Sequence, residues 1–513
     1  MVGTRYSHAQ PQESQSFYDQ LIEIFASPDD RLPFIDFPVR EIANPAAARD
    51  AGFTKAKQWL KLCEDTHSCV RHPNIPPLLP ARVIDVGESP IRLYEPTDGE
   101  RGKYVCLSHC WGSTSSVCRT TPKTYEAHKE NIVWAILPAT FRDTINVTRR
   151  LGIRFLWIDS LCIIQEDDND WREQSSLMAE VYGNAFLTIF ATSSANGHGG
   201  LYPSIPLELR PQQNIVTDRN GIVFRVHIRK NLQDQHLTTP GEVEPSQNRP
   251  NWFPLQNRAW AFQELQAEFH KGQWMIEQPA PHDWKKVVET FSVLDLTYPR
   301  DKLPAISGIA KKALLYRPPG DTYLAGLWES TLLSDMSWTV QAAKREPHEW
   351  RAPSWSWASV DGHVHMGHDD VEEWIPKFTV VDVQVSLAGP DPTGEVSSGH
   401  VVIYGKAFRS QVMQLGIEGT FITIGPCGRA PITLDWGLIL PTGKWVACLL
   451  LGTRDHMNNF FGMTLREVDG GESSANPTYE RVGSTGLFFA DMEEKHTFDE
   501  WYTGLRSWNI RIV

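Results

Sequence analysis

Apolar and polar positions change texture three times along the chain. The first ninety-nine residues read as a mostly helical lead-in. Ser16–Ala26 is a short apolar-periodic segment. Ala46–Cys63 sets Phe53, Ala56, Trp59, Leu60 and Cys63 on one helical stripe. Arg82–Val86 and Pro90–Tyr94 read as two short strands around a turn at Gly87. From Lys103 strand and helix alternate. Tyr104–Ser108, Phe155–Ile158 and Ala185–Ala191 are short apolar runs of the kind found in buried strands. Pro138–Arg150 is helical and stops at Gly152. Asp170-Trp-Arg-Glu173 has the pattern of a capping box, opening a helix that runs to about Tyr182.

That alternation predicts βαβ units and an α/β core built on a parallel sheet with flanking helices. Residues 193–257 form a long excursion with a hairpin expected at Gly221–Ile228. Helical signal resumes at Asn257–Glu268 and, broken by Pro299 and Pro304, over Val287–Leu315. Beyond Ala352 short alternating runs dominate, at Phe378–Leu387, His400–Ala407, Gln411–Leu415 and Trp445–Leu451. They predict a β-rich antiparallel C-terminal region. The expected division is a helical lead-in with a short hairpin over 1–99, an α/β domain over 100–270, and a helical connector followed by a β-rich domain over 271–513.

Charge and cysteine usage narrow the function classes. With 49 Lys and Arg against 62 Asp and Glu, the 513-residue chain has a formal net charge of −13. It lacks the global basic footprint of a duplex-binding protein, so no nucleic-acid partner is expected. The 8 Cys are scattered and form no disulfide framework. No apolar leader is visible at the N-terminus, and no apolar run approaches the roughly 18 residues that span a bilayer. The expectation is a cytoplasmic protein without a membrane partner.

Three stretches could carry chemistry. Leu107-Ser-His-Cys-Trp-Gly112 closes the first buried strand, and the carboxyl end of a parallel strand is where α/β sheets bind ligands. Ser108, His109 and Cys110 are candidate catalytic or binding groups there, with Trp111 beside them. Adjacent strand residues point to opposite faces, so His109 and Cys110 need not meet, and a buried inert Cys is the plainer reading. Asp159 follows the second strand and is placed to hold a ribose, hold a cation or orient His109; a loop cap explains it as well. In Arg258-Ala-Trp-Ala-Phe-Gln-Glu264, Trp260 and Glu264 are four apart and share a helical face. Arg258, Trp260 and Gln263 are candidate substrate-binding residues and Glu264 a candidate catalytic one. Cys63, His67, Cys69 and His72 do not have a standard zinc spacing, so no metal site is assigned.

Together these stretches resemble the HET (heterokaryon incompatibility) domain family of filamentous fungi. The carrying residues are Tyr104–Gly112, Phe155–Gln165, Asp170–Ala191 and Arg258–Glu264. Flanking likenesses are Trp59-Leu60 with Cys63, His67 and Cys69, then LTYPRDKLPAISGIA at Leu296–Ala310, YLAGLW at Tyr323–Trp328 and RAPSWSWAS at Arg351–Ser359. The stretch LQAEFHKGQWMIEQ after Glu264 departs from the family's usual continuation. At least eight of the 19 Trp lie in these segments. The resemblance implies an intracellular self/non-self or cell-death effector. HET domains have been likened to TIR domains, which have a flavodoxin-like parallel sheet. Some TIR domains cleave NAD with a Glu four residues after a Trp, the spacing of Trp260 and Glu264. The resemblance thus implies NAD as a candidate substrate rather than a bound cofactor.

Two other readings stand beside it. One is a stand-alone biosynthetic enzyme acting on an aromatic or polyketide-like small molecule, in keeping with the lack of a Walker loop or repeats. The other is a non-catalytic module that signals by self-association or through a HET-type protein partner.

Overall fold

The structure, a computed structural model of the chain, describes residues 22–30, 38–40, 42, 48–66, 75–112, 118–202, 210–217, 221–230, 253–268, 283–341, 349–367, 374–415, 419–436, 440–454, 459–468, 477–488 and 492–513. Two units are distinguished, one of residues 1–58 with 204–238 and one of residues 59–203 with 239–513. The first part of the chain holds β1 (Ile22–Phe25), α1 (Ala48–Thr66), β2 (Val83–Asp85), β3 (Arg92–Tyr94) and β4 (Tyr104–Ser108). Then come α2 (Tyr125–Glu130), α3 (Ala139–Arg150), β5 (Phe155–Ile158), α4 (Asp159–Cys162), α5 (Asp168–Asn184) and β6 (Leu187–Phe190). They are followed by β7 (Gln212–Thr217), β8 (Val223–Lys230), α6 (Ala259–Glu268), α7 (Trp284–Ser292) and α8 (Pro304–Ala313).

In the smaller unit, β1 pairs antiparallel with β8 and β8 with β7. Arg229 of β8 donates to Glu23 of β1 at 2.8 Å, a cross-strand ion pair. The described part of Ser16–Ala26 is therefore strand and not helix. Ile22 and Ile24 alternate with Glu23, a β-branched pattern that pairing with β8 exploits.

In the larger unit a five-stranded sheet has the order β3-β2-β5-β4-β6. β4 lies parallel to β5 on one side and to β6 on the other. β2 runs antiparallel to both β5 and β3. This sheet is mixed, which corrects the expectation of a flavodoxin/TIR-like parallel core. The reason is connection length. A short turn can join only antiparallel neighbours, and it folds β2 and β3 into a hairpin that docks on β5. The hairpin itself lies within the two short strands expected around Gly87. The core of this layer joins the sheet to Phe141 and Ile145 of α3 and to Met178, Val181 and Tyr182 of α5.

The cap of α5 lies one turn earlier than the capping box predicts. Asp167 is the N-cap, accepting from the backbone N–H of Asn169 and Asp170. The Asp170 carboxylate instead accepts two hydrogen bonds from Arg82 Nη2, at 2.5 and 2.6 Å, and one from Ile164 N at 2.7 Å. Arg82 Nε also donates to the Cys162 carbonyl at 2.7 Å, so one nearly buried ion pair ties down the loop that follows Asp159.

The C-terminal part contains β9 (Tyr323–Leu324), β10 (Leu327–Trp328), α9 (Leu332–Asp335), β11 (Thr339–Gln341), β12 (His363–His365), β13 (Trp374–Pro376) and β14 (Phe378–Leu387). It continues with β15 (Val396–Gln411), β16 (Met413–Gln414), β17 (Thr420–Thr423), β18 (Arg429–Leu434), β19 (Trp445–Arg454) and β20 (Asn459–Val468). The last elements are β21 (Thr478–Phe488), α10 (Met492–Gly504) and β22 (Ser507–Ile512). β19 pairs with β15, β15 with β22, β22 with β21, β21 with β20, and β20 again with β19. This ring is a closed five-stranded barrel. Its β21–β22 seam is parallel, which corrects the expectation of a wholly antiparallel region. α10 supplies the crossover that a parallel neighbour requires.

The tryptophans concentrate beside this barrel. Trp328, Trp338, Trp355 and Trp357 are fully buried. Between β9 and β10 the turn residues Ala325 and Gly326 both have positive φ, +49° and +101°. That two-residue turn suits the twist of a hairpin. Its Gly326 carbonyl accepts from the indoles of Trp284, at 2.9 Å, and Trp357, at 2.8 Å. A Cβ at Gly326 would lie 2.7 Å from Trp357 Nε1. Gly326→Ala is expected to lower stability by roughly 2–4 kcal/mol, read as the thermal midpoint. Ala325→Gly relieves an unfavourable φ and is expected to be neutral or slightly stabilising. Equal losses from both substitutions would contradict this account of the turn.

Candidate active site at the carboxyl edge of β4 and β5

Parallel pairing of Leu107 with Ile158 brings the ends of β4 and β5 side by side. Ser108 ends β4, His109 follows it, and Asp159 opens α4 directly after β5. His109 Nδ1 lies 3.7 Å from Asp159 Oδ1. The Asp159 carboxylate is fixed from two sides: Trp111 Nε1 donates to Oδ2 at 2.8 Å and Ser160 N donates to Oδ1 at 2.7 Å. The His109 ring stands edge-on to Phe141 of α3, with centroids 5.0 Å apart. α6 delivers Glu264 to the same locus. Its electrostatic neighbours are Ser108, Asp159, Tyr182 and Arg258.

These groups are buried and incompletely satisfied. Glu264 is 5% exposed. Ser108 Oγ, His109 Nδ1 and Glu264 Oε2 are buried and make no hydrogen bond of good geometry among the described residues, although the Ser108 and Tyr182 hydroxyls stand near enough to act on the Glu264 carboxyl. Leaving such an atom unpaired costs about 1–3 kcal/mol; eight further buried side-chain atoms elsewhere among the described residues are also unpaired, so what sets this locus apart is that three such atoms lie together. Burial pushes the Glu264 carboxyl up to about 8, and the Asp159 carboxylate adds to the shift. The Ser108 and Tyr182 hydroxyls and the Arg258 guanidinium pull it partway back. Glu264 is thus a neutral acid at neutral pH. Burial pulls His109 down from its ordinary value against the opposing effect of Asp159, which leaves a neutral imidazole.

Other candidates are placed differently. Cys110 packs with Leu255, Ala261 and Phe190. Burial raises its thiol to about 11, with Glu264 adding to the rise and Arg258 opposing it, so it rests as a thiol and not a thiolate. Arg258, at the entrance to α6, donates through Nη2 to the Thr297 hydroxyl. Trp260 turns its indole N–H to Asp301 Oδ2 at 3.1 Å. The Gln263 side-chain oxygen accepts from Gly308 N of α8 at 2.7 Å, where a Cβ at 308 would meet Ala179 Cβ at 2.2 Å. Trp260 and Gln263 therefore tie α6 to its neighbours, while Glu264 alone faces Ser108 and Asp159.

Tyr182 is the group that residue-by-residue sequence reasoning passed over. Its hydroxyl donates to the Leu107 carbonyl at 3.3 Å, and burial first, then Glu264 and Asp159, raise it well above its ordinary value. Its place four residues after Met178, on the inward face of α5, was the available signal. His67, Cys69 and His72 lie outside the described residues, and Cys63 is on α1. Among the described residues no group of three or more His, Cys, Asp or Glu is arranged to hold a metal ion.

The strand ends of this mixed sheet gather Ser108, His109 and Asp159, and the buried Glu264 of a later helix joins them. The family model described as Heterokaryon incompatibility protein (HET) matches residues 104–264, from the first residue of β4 to Glu264 itself. Residues 104–264 thus form a HET (heterokaryon incompatibility) domain. Comparison with curated proteins and with solved structures gives no match. Among the described residues no helix is long and apolar enough to cross a membrane.

The buried carboxyl also sets a stability signature. A folded-state value of about 8 against an ordinary 4.5 means that the native state holds a proton the unfolded chain has lost. Stability from this group is full below the ordinary value and is lost as pH rises through about 8. The loss is on the order of a few kcal/mol. Glu264→Gln is expected to raise the thermal midpoint at high pH and to change it little near pH 5. An equal effect at both pH values would contradict a proton held on Glu264.

Proposed function

We propose that this HET-domain protein is a cytoplasmic effector of self/non-self recognition or cell death, and that its strand-edge site cleaves the N-glycosidic bond of a nicotinamide nucleotide, with NAD as the substrate. The observation that carries this reading is the buried Glu264 carboxyl gathered with the Ser108 hydroxyl and the His109 ring nitrogen, none of them in a hydrogen bond of good geometry. Glycosidic cleavage passes through an oxocarbenium-like state. A carboxylate at Glu264 stabilises that positive charge more strongly in a buried site than in bulk water.

The remaining groups have complementary roles. The neutral His109 accepts a proton from the attacking water, and Asp159, fixed by Trp111 and Ser160, orients the imidazole. The Ser108 hydroxyl bonds a ribose oxygen, and the Arg258 guanidinium faces the phosphates. The C–N bond breaks with its electron pair leaving on nicotinamide. Water then supplies the new C–O bond and releases one proton. Trp111 and Trp260 both have their indole N–H committed to carboxylates. That supports positioning roles for them over a cage for a free aromatic substrate.

Incubating the purified chain with NAD is expected to release free nicotinamide, and Glu264→Gln is expected to lower the rate by about 100- to 1,000-fold. Because the carboxylate is the active form, kcat/KM should rise with pH and level off above about 8. Absence of turnover, or turnover indifferent to Glu264→Gln, would overturn the reading.

A further inference from the structure

The cleft between α9 and β14 takes no part in the strand-edge site. It has a volume of about 550 Å³, within the roughly 300–1,000 Å³ of ligand sites. Glu329, Leu332 and Leu333 line one side, and residues 379–383 line the other. Successive side chains of a strand point to opposite faces. A cleft over one face is therefore lined by every second residue, and one lined by consecutive residues runs along the strand's edge. That edge of β14 is free. β14 pairs with β15 from Phe378 to Leu387. Among the described residues no second strand pairs with it, and no other backbone hydrogen bond reaches residues 379–383.

An unpaired edge presents a row of N–H and C=O groups to any strand that fits. Short strands, prolines and lysines commonly blunt such edges, yet β14 runs for 10 residues without a Pro or a Lys. Pairing with β15 skips Val381, a bulge that leaves this side chain 56% exposed at the cleft. Leu332 is buried, and Leu333, Val380 and Val383 pack against the core, which gives the cleft an apolar floor. Its charges are all of one sign. Glu329 and Asp382 are both exposed, and no Lys or Arg lines the cleft. Asp382 Oδ2 accepts from His400 Nε2 at 3.1 Å.

We propose that the free edge of β14 is a docking site for an extended segment of a protein partner, one in which apolar residues alternate with Lys or Arg, and that this segment adds to the sheet as a further strand. Main-chain hydrogen bonds to the β14 edge supply affinity, and pockets for alternate side chains supply specificity. The apolar side chains of the added strand meet Leu332, Leu333 and Val381. The long basic ones carry their charge outward to Glu329 and Asp382. An acidic segment would meet two like charges instead, which costs binding. The cleft shares no residue with the Glu264 site, so peptide docking and glycosidic cleavage are tested separately.

Fluorescence anisotropy tests this on the full chain with three capped, labelled peptides: one of alternating Lys and Val, one of alternating Glu and Val, and the Lys and Val peptide methylated at every backbone nitrogen. The Lys and Val peptide is expected to bind at least about tenfold more tightly than the Glu and Val one at low salt. Methylation removes the N–H donors and keeps the charges, and is expected to weaken binding about tenfold. Glu329 is exposed. Glu329→Lys should therefore keep the thermal midpoint, lower affinity for the Lys and Val peptide about five- to tenfold and raise it for the Glu and Val peptide. No binding up to about 1 mM, binding indifferent to methylation, or a preference that Glu329→Lys leaves unmoved would overturn the proposal. So would a dimer of the chain that the Lys and Val peptide dissociates, because a second copy would then hold the edge.

Discussion

The site depends on β4 having a parallel neighbour on each side. Parallel pairing is the arrangement that leaves the carboxyl ends of adjacent strands together. It is why Ser108 and His109 emerge next to Asp159, though about fifty residues of chain separate them. β6 completes the edge, where Ala191 N donates to the Ser108 carbonyl at 2.9 Å. The hairpin of β2 and β3 shields the other margin of β5 and lets the sheet stay small. Shift β4 by one residue and Ser108 and His109 exchange faces. The approach of His109 to Asp159 at the strand ends would then be lost.

On that edge the protein buries a carboxyl group, that of Glu264. The cost of doing so is kept down by keeping the group neutral, and the three orphaned polar atoms beside it are costs of the same kind. Such deficits are tolerated where a ligand is to be bound. Several supporting side chains are held by multiple hydrogen bonds. Asp170 takes three donors, Asp159 takes two, and Gln263 locks α6 against α8 through Gly308 N.

Much of this is legible in the residue pattern, for identifiable reasons. The runs Tyr104–Ser108 and Phe155–Ile158 coincide with strands because strands buried on both faces are uninterrupted apolar runs. Ser108, His109 and Asp159 follow as strand-end positions. What fails to show is whatever depends on distant chain. The antiparallel docking of β2 on β5, and the closure of the barrel by β22 against β21, are chosen by long-range pairing that local periodicity does not encode. Asp170 has the sequence of a cap, yet Arg82, far earlier in the chain, claims its carboxylate. Trp260 shares a helical spacing with Glu264, but the tie to Asp301 turns its indole away. Tyr182 goes unread because an inward-facing Tyr on a helix looks like ordinary core.

The account's central claim is that Glu264 rests protonated at neutral pH inside the folded protein. Difference infrared spectroscopy of the carboxylic-acid C=O stretch measures this directly. The account predicts a protonated-carboxyl band at pH 7 that disappears above about pH 8 and is missing from Glu264→Gln. A spectrum at pH 7 without such a band, or with a band that Glu264→Gln leaves untouched, would contradict it.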